Sequence, residues 1–299
     1  MADHRQVVLD TIRDNGPVRL SEIERLTGLG RTTVAGLVND LRTQGAVVTA
    51  VERRQSPAGT GRRPIHARLN PDLARVVGIQ FEHTLVRAAI TDLGLNPLAE
   101  RDITMRVADD PLGAMTAAID LVDTMIRSID LPRRRIIGVA TALAAPVEVP
   151  TGIVRQSNVL RGWSGLQPAA DLSRRLRLPV IAGNDATLAG FGEATIGAAR
   201  GRGRHVVYVK LSASIGCGIV IHGQPYGGAF GTAGELAHMA VDRAGVLCFC
   251  GSRGCLHTVV GGHAILGDLR ATHTRRLEEA ESARDAPLTQ DERLGLVIE

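Results

Sequence analysis

The sequence predicts an α/β protein, with a winged helix-turn-helix at the N-terminus followed by a body built from two copies of one α/β lobe. Three observations carry this. Helical periodicity interrupted by a glycine turn fills the first part of the chain and runs into a basic hairpin. A pattern of two apolar, β-rich runs around a short turn occurs twice in the remainder. Residues 1–70 hold 11 arginines against 7 acidic residues, whereas the rest is balanced at 24 of each, so the whole net charge of +4 sits in the first segment. That asymmetry points to a nucleic-acid partner for this segment alone.

The first helix is read over "RQVVLDTIRDNG", where Val7, Val8 and Ile12 are apolar and Asn15-Gly16 is a C-terminal stop. Two helices follow in "LSEIERLTGLGRTTVAGLVNDLRTQG", with Ser21 capping the first and Gly28 to Gly30 forming the turn. In the second, Val34, Leu37, Val38 and Leu41 fall at i, i+3, i+4 and i+7. This turns Arg31, Thr32, Thr33, Ala35, Gly36, Asn39 and Arg42 outward, as in a recognition helix. Gly36 costs about 1 kcal/mol relative to alanine and removes one side chain that could read a base. "AVVTAVE" and "PIHARLN" alternate like strands, and the loop between them brings Arg53, Arg54, Arg62 and Arg63 within reach of phosphates or a narrow minor groove. Each of these arginines alone is an ordinary solvated charge. The ordered set predicts DNA binding by residues 1–70, as a homodimer or higher homo-oligomer on an inverted repeat.

The two copies in the body are "VVGIQFEHTLVRAAITDLG" and "HVVYVKLSASIGCGIVIHG", each followed by a further extended segment and then helical pattern. Two copies at so long a spacing exclude a solenoid. A duplicated lobe, residues 71–183 and 184–299, with ligand chemistry in the cleft between its halves is the expected organisation.

No apolar run approaches the roughly 20 residues that span a bilayer, and "MADHRQ" lacks the apolar core of a signal peptide, so a cytoplasmic address with no membrane partner is expected. Disulfides are rare there, and clustered thiols are more often metal ligands or redox groups. Cys248, Cys250 and Cys255 form C-x-C-x4-C around glycines 251 and 254, with His238 a hairpin's length upstream. Three sulfurs and one imidazole complete a tetrahedral zinc shell, whereas a redox pair would read C-x-x-C beside a helix N-terminus. The alternative is a chance cluster of buried thiols. Cys217, alone in "SIGCGIV", reads as a small core residue.

"GVATALAAPVEVPTGIVRQSNVLRGW", "VIAGNDATLAGFGEATIGAARG", "YVKLSASIGCGIVIHGQPYGGAFGTAGELAHM" and "CFCGSRGCLHT", behind a winged helix-turn-helix, resemble the ROK family of repressors, open reading frames and sugar kinases. The resemblance runs to about residue 270, and its most specific element is G-E-x-x-H followed by C-x-C-G-x-x-G-C. It implies an actin-like, ribonuclease-H-like duplicated fold and a structural zinc held by His238, Cys248, Cys250 and Cys255. It also implies a sugar pocket that uses Asn158, Asn184, Asp185, Glu235 and His238, with Asp185 placed as a base toward a hydroxyl. Read alone, Asn184-Asp185 is more simply a helix N-cap.

Departures from the family pattern separate regulator from kinase. Where ATP-using members carry D-x-G-G-T, this chain has Gln80, Phe81, Glu82, His83 and Thr84, so two glycines are replaced and a carboxylate stands where phosphate would approach. The second phosphate turn, usually G-T-G, is Ser212-Ala213-Ser214. His257 replaces the glutamate that ends the cysteine motif, which removes one hydroxyl acceptor and is expected either to weaken simple hexoses or to favour an acidic or phosphorylated ligand. The chain stops at Glu299, soon after the zinc loop, so lobe 2 is expected to lack the family's adenosine wall. The expectation is a regulator, acting as a repressor of sugar-related genes, with no catalytic residue in use, Asp185 as a vestigial base and a sugar or sugar derivative as effector. A ROK-type ATP-dependent sugar kinase and a constitutive DNA-binding or oligomerisation module remain alternatives at this point.

Overall fold

The structure, a computed structural model, describes residues 3–51, 64–149, 151–155, 157, 159–212 and 214–282. Arg53, Arg54, Arg62 and Arg63, together with Asn158 and Ala213, lie outside the described residues.

Three short helices and three short strands form the N-terminal part. α1 (His4–Asn15) is capped by the Asp3 side chain and ends at Gly16, whose φ of 67° needs no Cβ. β1 (Val18–Arg19) leads directly into α2 (Leu20–Thr27), and α3 (Arg31–Thr43) follows after Gly28 in the left-handed conformation. β2 (Val47–Val51) and β3 (Ile65–Leu69) pair antiparallel, and β1 joins the other edge of β3. Ser21 does not cap α2: the helix starts two residues earlier than that cap requires, with Arg19 at the cap position, because pairing of Val18 and Arg19 to β3 carries the strand up to the first helical residue. Val8, Ile12, Val18, Ile23, Val34, Val38, Leu41, Val47 and Ala67 close one small core. All three helices contribute their apolar stripes to it.

A second, larger core belongs to the sheet that follows. β4 (Arg75–Phe81), β5 (Leu85–Asp92) and β6 (Pro97–Thr104) form a meander. α4 (Pro111–Ser128) buries Ala114, Met115, Ala118, Val122 and Met125 against it. β7 (Ile136–Leu143) then adds parallel to β4. After α5 (Pro168–Leu176), β8 (Val180–Asn184) completes the order β6-β5-β4-β7-β8. Trp163 fills the centre of this core, its ring tilted against that of Phe81 at 4.8 Å and its indole N–H donated to Val107 O at 2.7 Å.

By its internal contacts the chain divides into Met1–Gly183 and Asn184–Glu299. The second unit opens with α6 (Asp185–Thr195), which packs on an antiparallel sheet of β9 (Val206–Leu211), β10 (Ile215–Ile221) and β11 (Gln224–Pro225). Gly218 makes that contact possible, since a Cβ there would stand 2.1 Å from Ala186 O. After a long irregular segment come α7 (Leu256–Val260) and α8 (Gly262–Ser282). No described helix is long and apolar enough to cross a membrane.

Candidate functional site

The first group of predicted residues gathers where β8 runs into α6. Asn184 is the N-cap of α6, its Oδ1 accepting from Thr187 N at 3.0 Å, so the helix-cap role weighed for this residue is realised. Asp185, only 8% exposed, accepts from Ala186 N at 2.7 Å through Oδ1. Its Oδ2 is held at 2.7 Å by Lys210 Nζ. Strand alternation explains the meeting: in β9 the less exposed positions are Val206, Tyr208 and Lys210, and Lys210 reaches the first turn of α6, where Asp185 sits.

Lys210 is the functional residue that sequence reasoning missed, yet the sequence carried a signal for it. It is the single lysine in a chain with 35 basic residues. An ammonium is a compact point charge that fits where a planar guanidinium does not. Paired in this way, Asp185 is a fixed acceptor, one oxygen held by a backbone N–H and the other by an ammonium.

Glu235 belongs to the same neighbourhood. Part of its side chain is open to solvent, but the atoms crowding its carboxyl, and beyond them the charge of Asp185, raise its pKa above the ordinary value. Its placement depends on Gly234, which has φ 92° and where a Cβ would lie 2.2 Å from Cys217 O on β10. Gly234→Ala is therefore expected to lower stability by about 1–3 kcal/mol through backbone strain alone, read from urea unfolding of the full chain. An unchanged midpoint would show that Glu235 is not held through this contact.

A single turn of 3₁₀ helix links this group to the second one, His238 N donating to Glu235 O at 3.1 Å. His238 Nδ1 stands 3.7 Å from Cys248 Sγ, Cys250 Sγ stands 3.6 Å from Cys255 Sγ, and the four ligand atoms all lie within 4.8 Å of one another. A tetrahedral zinc with bonds of about 2.3 Å to sulfur and 2.0–2.1 Å to nitrogen needs S···S edges of about 3.8 Å and S···N edges of about 3.6 Å. The donor set therefore fits such an ion. Burial lowers the His238 pKa and so favours the neutral imidazole a metal needs, while burial and the neighbouring thiols push the Cys255 thiol up to about 11. A cation among them reverses that penalty.

The loop is drawn tight by backbone contacts, with Cys248 N donating to Ser252 O and Leu256 N to Met239 O. Gly254 passes so close to Asp242 O that no side chain fits there. Phe249 lies between two imidazoles, its ring 5.1 Å from that of His238 and 5.0 Å from that of His257. The structure thus brings Asn184, Asp185, Lys210 and Glu235 into one group and His238, Cys248, Cys250 and Cys255 into another, with His257 beside the second across Phe249.

The turns corresponding to the family's phosphate loops are occupied by side chains. Gln80 Nε2 donates to Glu82 Oε1 at 2.8 Å, and His83 Nδ1 lies 3.1 Å from Val159 O. Phe81 is fully buried under Trp163. Ser212 donates through both N and Oγ to Ser214 O, which closes that turn on itself.

In the N-terminal domain, α3 exposes Arg31, Thr32, Thr33, Asn39 and Arg42, with Arg42 Nη2 donating to Asn39 Oδ1 at 2.9 Å. Its other side buries Val34, Val38 and Leu41.

Known proteins resemble this chain along most of its length. The xylose repressor of Bacillus subtilis is 26% identical over 267 residues, 89% of this chain and 68% of the relative. The glucokinase of Thermotoga maritima is 37% identical over 124 residues, 42% of this chain and 39% of that enzyme. The crystal structure of a ROK family transcriptional regulator, a homolog of the E. coli MLC protein, superposes with a TM-score of 0.69 at 20% identity, over 95% of this chain and 71% of that one, so the two share their α/β fold. The model of the ROK family matches residues 76–290, and the chain belongs to that family.

Proposed function

We propose that this protein is a sequence-specific DNA-binding repressor of sugar-related genes, in which residues 1–70 are a winged helix-turn-helix and the ROK body, 71–183 and 184–299, senses a sugar or sugar derivative without phosphorylating it. The observation that carries this reading is the extent of the likeness to the xylose repressor. Its 267 residues exceed what the chain holds from residue 76 onward, so it reaches into the three-helix domain, whereas the likeness to the glucokinase covers 42% of the chain. α3 is the helix for the major groove, with Arg31, Thr32 and Thr33 at base edges and Asn39 and Arg42 beside them. The wing arginines Arg53, Arg54, Arg62 and Arg63 serve phosphates or the minor groove.

In the body, Asn158, Asn184, Asp185, Glu235, His238 and His257 are the effector's ligands, and a structural zinc sits on His238, Cys248, Cys250 and Cys255. When bound, zinc supplies a fixed tetrahedral anchor for the loop. His238 ligating through Nδ1 leaves its other ring nitrogen as the donor toward a hydroxyl. Two features speak against kinase chemistry: Oδ2 of Asp185 is already engaged by Lys210, and Glu82 with its neighbours sets a carboxylate at the turn where phosphates would lie.

Selection of bound genomic fragments, repeated with a panel of neutral, N-acetylated, acidic and phosphorylated sugars, tests both activities together. An inverted repeat is expected, Arg31→Ala is expected to cost about 1–3 kcal/mol of operator binding, and one sugar class is expected to change operator affinity by roughly 5- to 150-fold. Specific binding that no sugar alters would make the chain a constitutive DNA-binding module. Sugar-dependent ATP turnover that disappears in Asp185→Asn would make it a kinase.

A further inference from the structure

Sequence composition assigns all the excess positive charge to residues 1–70, but the fold concentrates a second set of arginines elsewhere. Two loops lead into the sheet strands β7 and β8, and each is arginine-rich: Arg133, Arg134 and Arg135 before β7, and Arg174, Arg175 and Arg177 at the end of α5. All six are exposed. Arg133 Nη2 reaches across to Leu176 O at 3.4 Å, and the two loops line an open depression of about 570 Å³ that includes Arg133, Arg134, Arg175 and Arg177. Arg133 is paired with Asp123 and Arg174 with Asp171. Arg134 and Arg177 have no ion-pair partner among the described residues. Arg177 also holds a left-handed conformation, φ 56°, at a helix end where glycine is the easy choice.

Topology decides which way this surface faces. β4 and β7 are parallel, with Arg75 opposite Ile136, so the loop before β7 lies at the end of the sheet where the chain arrives from the DNA-binding domain. The connection is direct: Arg135 Nη1 donates to Asp72 O at 2.8 Å, and Asn70, two residues earlier, is bound to Ala46 O and Gly45 O just after α3. The starts of parallel strands lie opposite the strand ends at which α/β folds bind small ligands.

We infer that Arg134 and Arg177, with Arg135 and Arg175, form a second phosphate-contacting surface that takes the DNA backbone flanking the operator. This rests on the DNA-binding reading above. Duplex DNA fits better than a small anion because the guanidinium groups are spread over two segments, the turn before β7 and the end of α5, around an open depression. Guanidinium forks are also suited to successive backbone phosphates.

The test uses the full chain and two duplexes, the operator alone and the operator extended by about one helical turn, roughly 10 base pairs, on each side. Wild type is expected to bind the extended duplex about tenfold more tightly at low salt, with a salt slope steeper by about two per protomer. Arg134→Glu/Arg177→Glu is expected to match wild type on the short duplex and lose the gain on the long one. Arg134→Lys/Arg177→Lys is expected to keep most of it, because a point charge still meets a phosphate. Both side chains are exposed, and an unchanged thermal midpoint checks that the variants fold. No gain for wild type, or a gain that survives charge reversal, overturns the inference while leaving the operator reading intact. So does charge reversal that abolishes binding of inorganic polyphosphate and leaves the flank gain untouched. Failure of wild type on the short duplex is a separate readout that removes the DNA-binding reading and this inference with it.

Discussion

Cys250→Ser protein is expected to purify with little zinc, against about one ion per chain in wild type, and to lose the ordered loop between Met239 and Leu256. The effect is large because little else holds that loop. Val246 (64% exposed), Leu247 (63%) and Phe249 (47%) contribute almost nothing to a core. The other ties among the described residues are the ring contacts of Phe249 with His238 and His257 and hydrogen bonds, most of them backbone, each with a modest net contribution of about 0.5–1.5 kcal/mol. Structural zinc in small domains carries on the order of 10 kcal/mol of folding free energy. Here part of the lobe folds on its own sheet, so a loss above about 3 kcal/mol is expected for the second unit, seen as a lower unfolding midpoint and as rapid amide exchange across the loop. A chelator applied to wild type should reproduce the phenotype. Metal-free wild type that stays reduced and keeps its exchange protection would falsify the zinc assignment.

Lys210→Met is expected to be the most damaging single change in the group around Asp185. The Asp185 carboxyl then stands in a site where its side chain is 9% exposed, without the ammonium 2.7 Å away. Removing one member of a buried pair costs about 3–5 kcal/mol, most of it the desolvation of the charge left behind. Lys210→Met/Asp185→Asn removes both charges and should regain most of that stability. The double-mutant cycle from urea unfolding of the four proteins therefore yields a large coupling. Lys210→Arg is expected to fall between, since a planar guanidinium keeps the charge but does not reproduce the compact point charge of an ammonium. Single and double variants that differ by less than about 1 kcal/mol would show that the pair is screened by solvent and does not disarm Asp185.

The features legible in the sequence rest on neighbours in the chain. The stripe of Val34, Leu37, Val38 and Leu41 declares both the helix and its outward face, because side chains three and four residues apart share one side of a helix. C-x-C-x4-C with its glycines declares a cluster of donors able to hold a metal, because the thiols converge through a turn of a few residues. Short-range features were misread where a distant strand intervened. β1 has two residues, too few to show a period, and exists because β3 supplies its partner; its pairing moved the start of α2 ahead of Ser21.

What the sequence by itself determined is the set of local choices: the helices and their solvent faces, the hairpins, the glycine stops, the thiol cluster, and through these the family. What only the tertiary structure decided is which charges meet. Lys210 lies 25 positions from Asp185, and the arginines before β7 lie some 40 positions from those at the end of α5. Periodicity says nothing about pairs at that separation. They meet because parallel strand order, and the packing of α6 on β9 and β10, bring remote segments together, and the balance of a buried ion pair or an exposed arginine cluster exists only once that has happened.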